Sequence, residues 1–65
     1  MIRVLVVDDH ELVRSGITRM LADNPDLDVI GQASSGEDAI EFVRQERPDI
    51  VLMDMLTALV IWWLF

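Results

Sequence analysis

Three aspartates carry the chemistry this sequence could do. Asp8 and Asp9 end one apolar run, Ile2-Arg3-Val4-Leu5-Val6-Val7, and Asp54 ends another, Ile50-Val51-Leu52-Met53. In open α/β sheets, ligand sites form at the carboxyl ends of strands, where the strand order reverses. If the two runs are neighbouring strands, as in the flavodoxin-like order 2-1-3, the Asp8/Asp9 pair falls beside Asp54. Clustered carboxylates repel one another unless a cation neutralises them. Mg²⁺ is the natural candidate, because it is hard, takes oxygen ligands and often uses one or two carboxylates. A carboxylate beside Mg²⁺ can also attack a phosphoryl group and become an aspartyl-phosphate. The competing reading is plainer: acids at strand ends commonly form turns or cap helices. His10 could ligate a metal, but a solvated loop histidine is the simpler reading.

The elements that must position these residues follow from periodicity. Residues 2–7 are nearly apolar throughout, which suits a strand buried on both faces. Residues 11–22 predict a helix with Val13, Ile17, Met20 and Leu21 on one apolar face. Arg14 and Arg19 are expected off that face, and Gly16 weakens the helix somewhat. Asp23-Asn24-Pro25-Asp26 is a loop signal. Residues 28–33 predict a second strand. Ser34 and Glu37 have capping-box spacing, and the helix they start has Gly36, Ala39, Ile40 and Val43 as its inward stripe. Arg44 and Arg47 favour its C-terminal end, Pro48-Asp49 stops it, and 50–53 predicts a third buried strand. The order β-α-β-α-β implies an α/β fold with a parallel sheet and right-handed crossovers.

Composition narrows the function classes. The chain has 65 residues and a net charge of −7, from twelve acidic residues against five arginines and no lysine. With no basic patch, direct nucleic-acid contact by this segment is not expected. There is no cysteine, so disulfides are excluded, and a zinc cluster does not fit one histidine without thiols. The start of the chain turns acidic too soon for a secretory signal, which makes a cytoplasmic location the expectation. Chains of this length bury only about 60% of their unfolded surface, so self-association is the expected support. No paired base and nucleophile points to an enzyme acting on a diffusible substrate.

Four motifs in register resemble the receiver domain of bacterial response regulators. They are residues 2–10, ending Asp8-Asp9-His10; Leu12-Val13-Arg14-Ser15-Gly16; Ala33-Ser34-Ser35-Gly36-Glu37-Asp38-Ala39; and Arg47-Pro48-Asp49-Ile50-Val51-Leu52-Met53-Asp54. The style is that of the NarL/FixJ type and resembles its GacA/UvrY-like branch. The resemblance covers residues 1–55. It implies a CheY-like fold, with Asp54 as the phosphorylated aspartate and Asp9 as the direct Mg²⁺ ligand. Asp8 would hold the metal through water, and the backbone carbonyl of Leu56 would be the third protein ligand. In the family a sensor histidine kinase donates the phosphoryl group, and the phosphorylated receiver controls a DNA-binding domain that regulates transcription.

After Met55 the pattern departs from the family, which continues with Met-Pro and a Gly-rich loop. Here residues 55–65 hold no charge, no Gly and no Pro. The resemblance therefore divides the chain into a partial receiver, 1–55, and an apolar tail, 56–65. The later strands, the switch hydroxyl and the strand-five lysine are not found, and that lysine would otherwise stabilise phosphoryl transfer. As a helix, residues 55–65 would reach roughly 16 Å, against a bilayer core of about 30 Å, so a membrane span is not expected. The tail has strong β propensity and nothing to prevent pairing. The expectation is a homodimer or higher oligomer in which the tail forms an extra strand, or alternatively a helix. A second functional reading follows, of a fragment that does not signal and self-associates through the tail. A third is a small peptide adsorbed to membranes through Trp62, Trp63 and Phe65.

Overall fold

The computed structural model describes residues 1–53. Asp54, Leu56, the tail and any dimer built from it lie outside the described residues. Strand β1 spans Ile2–Val7, helix α1 Glu11–Ala22, strand β2 Leu27–Ala33, helix α2 Gly36–Glu46 and strand β3 Ile50–Met53. Among the described residues both strand pairings are parallel and the sheet order is β2-β1-β3, the arrangement expected from the sequence. The apolar character of β1 explains its central place, because only a strand covered on both faces keeps Val4, Leu5, Val6 and Val7 all buried. Each such side chain contributes about 1.5–3 kcal/mol through burial.

The main core lies on the α2 face of the sheet. Leu5, Val7, Ala33 and Ala39 form it, with Ile40, Phe42, Val43, Val51 and Met53 packed against them. Of the expected α2 stripe of Gly36, Ala39, Ile40 and Val43, the last three pack on this core with Phe42 added, while Gly36 is half-buried at the helix start. Phe42 reaches the sheet because β2 has glycine at position 31, where a Cβ would overlap the ring. Pairing between β1 and β2 shifts by one residue between Val4 and Leu5, so that Leu5 faces Gly31. This irregularity sets the glycine under the ring.

Four local expectations are corrected. The N-cap of α2 is Ser35, not Ser34: its extended backbone lets Oγ accept the Asp38 amide at 3.2 Å. Ser34 is still part of β2's exit, and its hydroxyl donates to the Asp38 carboxylate at 3.3 Å instead. Second, β2 begins one residue early, at Leu27. Third, β3 is not buried on both sides, since Ile50 and Leu52 are exposed while Val51 and Met53 are half-buried. Fourth, α1 docks through Arg14, Ile17, Thr18 and Leu21, all half-buried, whereas Val13 and Met20 point to solvent. The expected face was rotated by about one residue, because a polar anchor, Arg14, takes the place of an apolar one.

The far end of α2 is tied to β1. Arg47 closes the helix in the left-handed region, φ 48°, with its amide bonded to the Val43 carbonyl at 3.0 Å. Arg3 on β1 donates to the Glu46 carbonyl at 2.7 Å and lies 3.6 Å from the Glu46 carboxylate. A cation there satisfies a terminal carbonyl and opposes the negative end of the helix dipole.

Candidate functional site

The acidic turn at the carboxyl end of the central strand is built from backbone outward. Val7 pairs with Ala33 on one side and with Met53 on the other. Just beyond, the Asp8 amide donates to the Ala33 carbonyl at 3.1 Å, so Asp8 is held where the ladder ends. Its side chain is buried, the one buried charged residue among those described. One carboxylate oxygen accepts the His10 amide at 2.8 Å, closing an Asx-type turn. Asp9 and His10 are exposed, and His10 Nδ1 stands 2.8 Å from Asp9 Oδ1 and 3.4 Å from Asp8 Oδ1.

The helix-capping reading of the aspartates does not match this geometry. The N-cap of α1 is His10, whose side chain makes no capping bond. The Asp8 carboxylate takes the amide of the N-cap itself rather than one from the first helical turn. What the turn offers is a set of convergent ligand atoms: Asp8, Asp9 and His10 each supply one, all within 4.8 Å of one another. The donor chemistry fits a hard divalent cation at the two carboxylates. Asp9, open to solvent, is the freer ligand, since Asp8 has one oxygen committed to His10. The imidazole would have to release Asp9 for both carboxylates to serve.

Sequence reasoning missed two residues that shape this end of the sheet. Arg14 donates through Nη1 to the Asp8 carbonyl at 2.8 Å and through Nε to Gln32 Oε1 at 3.1 Å. It was expected to be a solvated helix arginine. The available signal was spacing: Arg14 lies one turn past the N-cap, and Gln32 precedes the last residue of β2. Asp54 and the Leu56 carbonyl, the other residues the resemblance singles out, lie outside the described residues.

Fold and site together define a doubly wound, flavodoxin-like α/β unit with an acidic end. The chain belongs to the response regulator receiver domain family, whose model matches residues 4–57. Response regulator GacA of Pseudomonas viridiflava is 66% identical over 55 residues, which are 85% of this chain and 26% of that protein. Response regulator UvrY of Escherichia coli strain K12 is 58% identical over 55 residues, 85% of this chain and 25% of that protein. Among solved structures, the signal receiver domain of NarL from Mycobacterium tuberculosis matches with a TM-score of 0.78 and 40% identity, over 82% of this chain and 43% of that one. The response regulator domain of Thermotoga maritima CheB matches with a TM-score of 0.76 and 37% identity, over 78% and 38% respectively. The chain thus spans about a quarter of the length of the curated relatives it matches. Receiver domains of this family serve two-component systems and normally partner with a sensor histidine kinase. No helix among the described residues is long and apolar enough to cross a membrane.

Proposed function

We propose that this chain is a phosphoacceptor module of a two-component relay, with Asp54 as the acceptor. One observation carries the reading: β1 and β3 are parallel neighbours, and Val7 is paired with Met53. Those two residues immediately precede Asp8 and Asp54 in the sequence. A carboxylate oxygen of Asp54 attacks the phosphorus of a phosphohistidine on the kinase. The new O–P bond forms as the P–N bond breaks, and the imidazole nitrogen keeps the electron pair and later takes up a proton. Asp8 and Asp9, with Asp54 and the Leu56 carbonyl, would hold Mg²⁺, which supplies charge neutralisation at the phosphoryl oxygens. The buried, backbone-fixed Asp8 gives that site one rigid wall. The reading makes the chain a signalling protein of the cytoplasm rather than an enzyme turning over a diffusible substrate. Its resemblance to the NarL/FixJ type supports a place in transcriptional control. On this reading residues 1–55 are receiver and 56–65 a segment foreign to it.

The test is intact mass after incubation with Mg²⁺ and acetyl phosphate, beside an Asp54→Asn variant. The expected result is a gain of one phosphoryl group, absent in the variant. No gain, with the same donor shown active on a complete receiver, rejects the reading and favours the fragment that only self-associates.

A further inference from the structure

We propose that Arg14 is the positioning residue of the acidic turn, holding the Asp8 backbone in place so that the two carboxylates face one cation. The inference rests on the cation reading given above. Three bonds fix Asp8: its amide to Ala33, one carboxylate oxygen to the His10 amide, and its carbonyl to the Arg14 guanidinium. The first two belong to the strand exit and the turn. The third is a side-chain bond from α1, and it ties Asp8 itself to that helix, beside the backbone bond from the Arg14 amide to the His10 carbonyl at 2.9 Å.

The same guanidinium reaches Gln32 on β2. A single planar fork therefore spans the carboxyl ends of two strands and the first turns of a helix. Arginine suits this because its donors sit in fixed relative directions, so two acceptors orient it. Its own backbone is steadied by Thr18, whose hydroxyl donates to the Arg14 carbonyl at 2.8 Å. The setting makes the contact consequential. Helix α1 buries none of its twelve residues, so apolar packing alone holds its N-terminal turns weakly. Without the fork, the loop of Asp8, Asp9 and His10 would be free to move with the start of α1. The guanidinium also brings a positive charge to the edge of a turn that carries two carboxylates, easing their mutual repulsion.

The experiment compares the full chain with Arg14→Ala, Arg14→Lys and Gln32→Ala by amide-resolved NMR, first without metal and then with MgCl₂. Without metal, Arg14→Ala is expected to speed exchange of the His10 and Asp8 amides while leaving the α2 amides, such as Val43, at wild-type rates. With metal, Arg14→Ala is expected to bind Mg²⁺ about tenfold more weakly, the scale typical of lost outer-layer support for a ligand. Arg14→Lys, which keeps the charge but not the fork, should fall between, and Gln32→Ala should give a smaller loss in the same direction. Wild-type His10 protection in Arg14→Ala overturns the proposal. So does uniform loss of protection in all three variants, which would make Arg14 a general stabiliser. A wild-type chain that binds no Mg²⁺ rejects the cation reading instead, and the metal-free amide rates still decide whether Arg14 positions the turn.

Discussion

The two faces of this sheet are held by different forces. On the α2 face, Leu5, Val7, Ala33 and Ala39 pack dry, and the Phe42 ring lies against a strand stripped of a side chain at Gly31. On the α1 face, Val4 and Val6 are buried, yet the helix above them buries nothing fully and leaves Leu12, Val13 and Met20 in solvent, and Ile50 and Leu52 of β3 are exposed as well. What fixes α1 is chiefly directional, the Arg14 fork, with half-buried Ile17 and Leu21 adding apolar contact. The comparison teaches that shape complementarity makes one face intolerant of change in volume. Polar ties make the other tolerant of volume and sensitive to the loss of a donor. Asp8 sits where both meet, which gives the acidic turn a rigid floor from the core and an adjustable wall from α1.

The largest expected effect tests the packed face. Leu5→Ala empties the centre of the cluster and should cost about 2–5 kcal/mol. Chains below about 70–80 residues rarely hold more than 3–5 kcal/mol from one core. Far-ultraviolet circular dichroism should therefore show loss of the cooperative thermal transition, and a retained transition would mean the core is not where stability resides. The two glycines sharpen the contrast. Gly31→Ala forces a methyl into the Phe42 ring and should destabilise by about 1–3 kcal/mol, the usual scale for overpacking. Gly16→Ala meets nothing within 4 Å and should stabilise by roughly 1 kcal/mol through helix propensity. Urea midpoints of the pair should move in opposite directions. Equal shifts would erase the distinction between the faces.

Most of the fold was legible because its two periods differ sharply. The apolar runs at 2–7 and 50–53 and the helical stripes between them fix element order, and parallel alternation fixes the topology class. Only what tertiary contact decides was not legible. Helix α1 was read by assuming that apolar residues face inward, so Val13 and Met20 were placed in the core and Arg14 in solvent. The structure reverses both, because an arginine can lay its stem on the sheet while its head serves the Asp8 carbonyl and the Gln32 side chain. At the site, Asp8 and Asp9 were found as strand-end acids, but nothing in their adjacency tells that Asp8 is buried and Asp9 open. That difference comes from the turn closed by the His10 amide.

The smallest expected effect is the one that most directly probes the open face. Met20 is 75% exposed and Leu12 86% exposed, so neither loses packing when replaced. Met20→Lys places a cation in the last turn of α1, where the dipole favours it slightly. Leu12→Gln removes an apolar group from the first turn without adding charge. Each should change stability by no more than about 0.5 kcal/mol, as surface substitutions usually do. Each should also lower any tendency to self-associate through exposed apolar surface. Chemical denaturation at two protein concentrations measures both at once. A loss above about 1 kcal/mol that grows with concentration would mean a second copy covers α1 in solution. A loss of that size independent of concentration would mean another part of the same chain covers it. Either result would turn the looser face of the sheet into a packed one.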